Sequence, residues 1–175
     1  VRGARGLAEC PDWATPEVAL IGRSNVGKSS LVNLLTHRHD LAKVSATPGK
    51  TRQLNFFLIN QSWGLVDLPG YGYAKTPKHE KFDFNELAGD YLEQRANLRH
   101  VFVLIDSRLP PQRIDLDFCA WLGETGREFT FIFTKADKQS PAKTGATIAL
   151  FEEAVHPLLG TLPAHLTCSS TQRLG

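Results

Sequence analysis

Length, composition and charge indicate a globular chain and exclude several classes of protein. With 175 residues, of which 42% are hydrophobic and 22% charged, the chain has enough apolar side chains for one core and is near the usual size of a single domain. Its apolar runs are far too short to cross a bilayer, and a formal net charge of +2 is too small to predict nucleic-acid binding by itself.

Three scattered cysteines, Cys10, Cys119 and Cys168, lack histidines at metal-ligand spacing. They predict neither a disulfide framework nor a zinc site. No signal-peptide pattern is visible. We therefore expect a soluble, intracellular protein with no membrane contact.

Short apolar runs alternate with longer amphipathic stretches, which predicts a three-layer α/β fold with helices on both faces of the sheet. Six strands are predicted at residues 18–21, 54–59, 64–67, 101–106, 129–134 and 164–168, and four helices at 28–36, 84–98, 114–123 and 142–158. The second helix rests on the spacing of Leu87, Tyr91, Leu92 and Leu98. The loop Asn60-Gln61-Ser62 is too short to join parallel strands, so a mostly parallel sheet contains one antiparallel strand.

A phosphate-binding loop is predicted between the first strand and the first helix. Its residues are Gly22, Arg23, Ser24, Asn25, Val26, Gly27, Lys28, Ser29 and Ser30, which follow the GxxxxGK[ST] pattern in the strand-loop-helix context that it requires. Glycines let backbone N–H groups surround phosphates, Lys28 reaches the β- and γ-phosphates, and the Ser29 hydroxyl ligates Mg²⁺. A nucleoside triphosphate with magnesium is the predicted ligand.

Two further loops carry groups suited to the γ-phosphate and the metal. One consists of Asp67, Leu68, Pro69 and Gly70, and the other of Thr47, Pro48, Gly49, Lys50 and Thr51. The Asp67 carboxylate is predicted to hold the water shell of Mg²⁺ and the Gly70 N–H to meet the γ-phosphate. Thr51 is the predicted threonine ligand of the metal, with Thr47 as the alternative. Loops held by the γ-phosphate and released after hydrolysis would form a switch.

Guanine is the base predicted by Thr134, Lys135, Ala136 and Asp137, which end the fifth strand. The Asp137 carboxylate can accept hydrogen bonds from the ring N–H and the amino group of guanine, a donor pair that adenine lacks. Ser169, Ser170 and Thr171 follow the last strand, where a backbone N–H is predicted to reach the guanine carbonyl oxygen. GTP is therefore favoured over ATP.

Together these motifs resemble the EngB/YihA/YsxC family of ribosome-biogenesis GTP-binding proteins, within the translation-factor-related class of P-loop GTPases. The resemblance rests on GRSNVGKSSLVN (22–33), TPGKT (47–51), NFF (55–57), VDLPGYGYA (66–74), YLEQR (91–95) and TKADK (134–138). It spans nearly the whole chain, and DLPGYGYA is its most specific part. The family's Trp after this stretch is not found in residues 79–84, where Phe82 or Phe84 could fill the same space.

The resemblance implies the small G-protein fold, hydrolysis of GTP to GDP and phosphate, and GTP-dependent binding to the large ribosomal subunit and its rRNA during assembly. It also implies a monomer with a link to septation and the cell cycle, in a bacterial cytoplasm or an organelle of bacterial origin. The family fold continues into a helix after CSSTQRLG (168–175). We therefore expect residues 1–175 to be a single GTP-binding domain whose terminal helix is missing.

The residue after Gly70 predicts slow intrinsic hydrolysis. Many GTPases orient the attacking water with a glutamine there, whereas this chain has Tyr71. Lys28, Thr51 and Gly70 are the predicted catalytic groups, with Asn25 as a fourth, because related GTPases use an asparagine at this place to coordinate a monovalent cation. Potassium is then expected to stimulate hydrolysis; alternatively, Asn25 only stabilises the loop backbone through a hydrogen bond.

Basic residues cluster around the switch segments and form a candidate rRNA footprint. They are His37, Arg38, His39, Lys43, Lys50, Arg52, Lys75, Lys78 and Lys81. Such side chains either neutralise RNA phosphates or form a solvated surface. Two other functions stay open at this point: a tRNA-modification or signalling GTPase with the same core, and a module that senses GTP with little turnover.

Overall fold

Seven strands and four α-helices alternate along the chain in the computed structural model, which describes residues 2–36, 53–72 and 86–169. The strands are β1 (Arg2–Ala4), β2 (Glu17–Gly22), β3 (Leu54–Ile59), β4 (Trp63–Asp67), β5 (Leu98–Asp106), β6 (Phe129–Thr134) and β7 (His165–Thr167). The helices are α1 (Lys28–Leu35), α2 (Glu86–Gln94), α3 (Arg113–Glu124) and α4 (Pro141–Leu159). None of the helices in these ranges has the length and apolar character needed to span a membrane.

The strands form one sheet in the order β1-β3-β4-β2-β5-β6-β7. β3 is antiparallel to both of its neighbours, whereas the other neighbouring pairs are parallel. This topology confirms the α/β fold with a mostly parallel sheet and one antiparallel strand. The predicted set of six strands omitted β1, because Arg2–Ala4 has no alternating apolar pattern and pairs with a strand far away in the sequence.

The hairpin between β3 and β4 has the predicted turn. Ile59 pairs with Trp63 across it, and Asn60 and Gln61 have φ values of 48° and 55°. The Ser62 N–H donates to the Ile59 carbonyl at 2.9 Å. Positive φ is uncommon outside glycine, but asparagine adopts it more readily than most residues. The turn brings β4 back beside β2, so that both strands end at the same edge of the sheet.

The helices lie close to their predicted ranges except at the end of α2. The prediction that this helix includes Leu98 is wrong, because α2 ends at Gln94 and Leu98 is the first residue of β5. Between them, the Asn97 carbonyl accepts the Glu17 N–H at 2.8 Å and the Asn97 amide donates to the Trp13 carbonyl at 2.5 Å. Leu98 is buried in the strand, so its apolar character alone did not distinguish helix from strand.

The sheet is covered on both faces, as predicted. α2, α3 and α4 pack on one face together with Ile21 and Val103, and α1 packs on the other with Leu20 and Leu104. Successive side chains of a strand point to opposite faces. Strands buried on both faces therefore appear in the sequence as continuous apolar runs.

A buried carboxylate, Glu17, joins several elements at the amino end of β2. Arg95 donates to both of its oxygens, from Nη2 to Oε1 at 2.5 Å and from Nε to Oε2 at 2.9 Å. The Tyr91 hydroxyl donates to Oε2 at 2.6 Å, and Trp13 Nε1 donates to Oε1 at 2.5 Å. Because a buried charge is costly unless its hydrogen bonds are satisfied, these contacts hold α2 against the start of β2. The YLEQR stretch thus has a structural role.

Candidate functional site

Four of the predicted segments meet at one edge of the sheet, beyond the carboxyl ends of β2, β4 and β6. Parallel strands place the loops that follow them at the same edge, where α/β proteins bind their ligands. The segments are 22–30, 67–70, 134–137 and residue 169. Hydrogen bonds and close backbone approaches join the four segments.

The phosphate loop is a tight turn between β2 and α1. Gly22 ends the strand, Asn25 has a φ of 65° and Gly27 a φ of 107°, and the helix begins at Lys28. A Cβ on Gly22 would lie 2.7 Å from the Leu104 carbonyl oxygen, so no side chain fits there. A loop of this shape leading into a helix amino terminus binds anions through its backbone N–H groups.

The remaining predicted residues of this loop take different positions. Val26 is buried, whereas Asn25 is exposed. Ser24 precedes Asn25, and Ser29 and Ser30 lie half-buried in the first turn of α1. The loop therefore offers hydroxyl groups from the start of α1 and an exposed amide from its turn.

Lys28 and Asp67 form a buried ion pair. Lys28 Nζ donates to Asp67 Oδ1, and the two residues are 8% and 2% exposed. The contact joins the first residue of α1 to the last residue of β4. It places the predicted phosphate-binding ammonium and the predicted metal-binding carboxylate at one point.

The segment after β4 lies directly on the phosphate loop. The Leu68 N–H donates to the Leu20 carbonyl at 3.0 Å, and Pro69 is buried. A Cβ on Gly70 would lie 2.8 Å from the Gly22 carbonyl oxygen and 3.2 Å from the Ser24 nitrogen. Only glycine permits this close approach of two backbones.

Tyr71, the residue after Gly70, turns inward. Its side chain is buried and stacks on Phe118 with 4.4 Å between ring centroids, and its hydroxyl donates to Asp115 Oδ1 at 2.9 Å. The other oxygen of Asp115 lies 3.2 Å from Arg23 Nε. Burial raises the pKa of Asp115 to about 6, opposed by the nearby Arg23 charge. The position that holds a water-orienting glutamine in many GTPases is therefore engaged in an interior contact.

Thr134 and Lys135 contact the phosphate loop from the end of β6. The Thr134 hydroxyl oxygen lies 2.6 Å from the Val26 carbonyl oxygen. Lys135, with a φ of 60°, donates from Nζ to the Asn25 carbonyl at 2.6 Å and to Asp106 Oδ2 at 2.8 Å. These bonds hold the end of β6 and the phosphate loop at a fixed separation.

The Asp106 carboxylate, at the end of β5, accepts hydrogen bonds from two cationic side chains, Arg108 and Lys135. Burial would raise its pKa, but hydrogen bonds from Arg108 and Lys135 outweigh burial and hold it at about 2. The carboxylate is therefore charged and keeps the Lys135 ammonium in place.

Asp137 presents an ionised carboxylate beside the last strand. A hydrogen bond from Ser169 and another from Lys138 lower its pKa, and its side chain is 5% exposed. The neighbouring Ala136 N–H donates to the Cys168 carbonyl at 3.2 Å. This bond brings the predicted base-binding residues that follow β6 together with Ser169.

Several predicted residues lie outside the described part of the chain. They are Pro48, Gly49, Lys50, Thr51, Ser170 and Thr171, together with the alternative Thr47, the cluster of basic residues, and Phe82 and Phe84. Among residues 2–36, 53–72 and 86–169, no group of three or more His, Cys, Asp and Glu side chains is arranged to hold a metal. A magnesium site built from one hydroxyl, one carboxylate and substrate phosphates does not need such a group.

The prediction missed Asp106 and Asp115. A signal existed for both. Asp106 ends a buried strand, as Asp67 does. Asp115 lies on the apolar face of α3, three, four and seven residues before the buried Phe118, Cys119 and Leu122. A carboxylate on an apolar helix face predicts a buried polar partner, but does not say which one.

Comparison with known proteins gives the family. The family described as 50S ribosome-binding GTPase matches residues 17–135. A Bacteroides fragilis protein described as probable GTP-binding protein EngB is 50% identical over 169 residues, which are 97% of this chain and 84% of the relative. The chain belongs to the EngB family of GTP-binding proteins. An EngB relative from Bacteroides thetaiotaomicron is 51% identical over 169 residues, with the same coverage of both chains. The chain is accordingly a member of a GTPase family.

Solved structures agree with the fold. The crystal structure of a probable GTP-binding protein EngB has a TM-score of 0.66 and 21% identity, and the match covers 90% of each chain. NFeoB from S. thermophilus, bound to GDP.AlF4- and K+, has a TM-score of 0.66 and 26% identity, over 92% of this chain and 58% of that chain. The α/β fold of a P-loop GTPase is thereby confirmed.

Proposed function

We propose that the edge of the sheet described above binds GTP and hydrolyses it to GDP and phosphate, with the phosphates on residues 22–30 and the guanine on Asp137. The observation that carries this proposal is the contact of Thr134 and Lys135 with the carbonyls of Val26 and Asn25. Because these bonds fix the distance between the phosphate loop and Asp137, one ligand with a phosphate end and a base end spans both.

Guanine fits the chemistry of Asp137 better than adenine does. The carboxylate is ionised and sheltered, so it accepts hydrogen bonds but donates none. Guanine offers two adjacent donors, whereas adenine would leave the carboxylate unpaired. Ser169 lies beside Asp137 and hydrogen-bonds its carboxylate, which suits this segment to contact the same base.

Ser29 and Asp67 are suited to hold Mg²⁺ beside the β- and γ-phosphates. A hydroxyl and a carboxylate are hard oxygen donors of the kind that this ion prefers. Both lie next to Lys28, since Ser29 follows it in α1 and Asp67 contacts its ammonium. Bound Mg²⁺ would neutralise phosphate charge, and Thr51 would be its third protein contact.

Intrinsic hydrolysis is slow under this proposal. Lys28 and the Gly70 N–H stabilise charge on the transferring phosphate, but Tyr71 is held by Asp115 and Phe118. No amide side chain stands at that position to orient the attacking water. A monovalent cation or a partner must then supply part of the catalysis.

Potassium is expected to accelerate hydrolysis at least about tenfold over sodium at equal ionic strength, because a cation beside Asn25 would add positive charge as an arginine finger does. Asn25 is exposed, and its carbonyl is already held by Lys135, so the loop has support other than the Asn25 amide. Phosphate release is measured in both salts with ribosomal subunits present. In the Asn25→Gly variant, glycine tolerates the φ of 65° at this position, and the hydrolysis rates in potassium and sodium should become equal. Equal rates for the wild type would contradict the role of Asn25 as a cation ligand.

The GTP-bound protein is further proposed to bind the large ribosomal subunit during its assembly, as a monomer in the bacterial cytoplasm. The family description supports binding to the 50S subunit by its printed words, 50S ribosome-binding GTPase. The loop at residues 47–51, which Thr51 would tie to Mg²⁺ only while the γ-phosphate remains, would set the affinity for the subunit. The cluster of basic residues would neutralise rRNA phosphates.

Co-sedimentation with separated ribosomal subunits tests this role. The protein is pelleted with each subunit in a non-hydrolysable GTP analogue, in GDP and without nucleotide, at two salt concentrations. Pelleting with the large subunit in the analogue alone, weakened by salt, is the expected result. No pelleting in any state, with nucleotide binding intact, would remove the ribosomal role and leave the GTPase.

A further inference from the structure

Arg23, Tyr71 and Asp115 form a network of side chains beside the phosphate loop, in which Arg23 is half-buried. The Tyr71 hydroxyl donates to one oxygen of Asp115 at 2.9 Å, and Arg23 Nε lies 3.2 Å from the other oxygen. Asp115 and Tyr71 are each 1% exposed. The three residues come from the phosphate loop, the segment after Gly70, and α3, so the network ties these elements together.

The network lies next to Gly70. Tyr71 follows Gly70 directly, and the backbones of Arg23 and Tyr71 form a parallel bridge. Gly70 itself lies against the carbonyl of Gly22. A shift of Gly70 away from the phosphate loop must therefore break the bridge or move the Tyr71 ring.

Moving that ring is costly. It would separate Tyr71 from Phe118, on which it stacks with an interplanar angle of 17°. It would also leave the hydroxyl and Asp115 without their mutual hydrogen bond in a buried place, and unsatisfied buried polar groups are strongly disfavoured. Next in the chain, Gly72 has a φ of 84° and packs against Ile114 of α3, which restricts the segment further.

We infer that Arg23, Tyr71 and Asp115 are positioning residues that hold the Gly70 N–H at the place of the γ-phosphate before GTP binds. This inference rests on the proposed role of Gly70. A donor that is already in position does not lose freedom when the ligand arrives, so affinity and rate are both higher. GDP has no γ-phosphate to meet the Gly70 N–H, so loss of the Tyr71 hydroxyl alone should leave its affinity unchanged.

Tyr71→Phe tests the network, because it removes one hydroxyl and keeps the ring. Its matched control is Tyr91→Phe, since Tyr91 is also buried and donates to a buried carboxylate, Glu17, at 2.6 Å. Glu17 begins β2, whereas Gly22 ends it, so the control lies at the far end of the strand. Dissociation constants for GDP and for a non-hydrolysable GTP analogue are measured for wild type and both variants, with kcat and thermal unfolding.

The expected result is a loss of affinity for the GTP analogue of about 3- to 10-fold in Tyr71→Phe, as for one buried hydrogen bond, with a similar fall in kcat and unchanged affinity for GDP. Tyr91→Phe should lower thermal stability and leave the ratio of the two dissociation constants unchanged. Asp115→Asn should change that ratio in the same direction as Tyr71→Phe.

Two results would overturn the inference. An equal ratio in Tyr71→Phe, Tyr91→Phe and wild type would show that the network only stabilises the fold, while the proposed GTPase site would stand. Failure of the wild type to bind either nucleotide would remove the proposed function and this inference with it.

Discussion

Asp137→Asn is expected to lower the affinity for GTP by about 10²- to 10⁴-fold, the effect of losing two hydrogen bonds to a charged acceptor. The asparagine amide would donate where guanine also donates. Xanthine carries a carbonyl oxygen in place of the guanine amino group, so the variant should bind xanthosine triphosphate more tightly than the wild type does. Competition between the two nucleotides, measured by equilibrium binding, gives both affinities.

Asp117→Asn is the matched control for this substitution. Asp117 lies on the surface of α3, where its carboxylate is 45% exposed and pairs with Arg113 at 3.6 Å. Exposed pairs of this kind contribute little to stability, so nucleotide affinity should stay unchanged. Retention of full GTP preference in Asp137→Asn would mean that the base is recognised elsewhere.

Lys28→Met is expected to lower the affinity for both GTP and GDP by about 10²-fold or more, because the β-phosphate that both nucleotides carry loses a charged hydrogen-bond donor. The substitution also leaves Asp67 as an unpaired buried charge. Breaking a buried ion pair costs about 3–5 kcal/mol of folding free energy. Equilibrium binding and chemical unfolding of the same preparation measure the two effects.

The double variant Lys28→Met with Asp67→Asn separates binding from stability. It removes both charges of the buried pair, so most of the lost folding free energy should return. Nucleotide affinity should not return, since neither asparagine nor methionine replaces the ammonium. Wild-type affinity in the double variant would show that Lys28 acts only through the fold.

The phosphate loop could be predicted because its chemistry permits few residue types. Gly22 has no room for a Cβ against Leu104, and Gly27 has a φ of 107°, so glycine is required at both positions. Most strand and helix ranges could also be predicted, since apolar spacing follows directly from burial on a sheet or a helix. Lys28 and Asp67, the expected phosphate and metal groups, do meet in space.

The partners within the interior could not be predicted. Tyr71 and Asp115 are far apart in the sequence, and the residues that flank either one do not indicate the other as its partner. Leu98 was placed in the wrong element because burial in a strand and in a helix gives the same apolar signal. What decided its place was the pair of hydrogen bonds made by Asn97, which depends on the tertiary structure.

Lys135 has a consequence for how this chain can evolve. One ammonium serves the Asn25 carbonyl and the Asp106 carboxylate, from a backbone with a φ of 60°. A shorter or neutral side chain at this position would leave the carboxylate with Arg108 alone and release the loop carbonyl. Lys135 and Asp106 are therefore expected to change together during divergence, and a substitution at one should be accepted only after a change at the other has compensated for it. Residue 25 contributes only its backbone carbonyl and can vary independently.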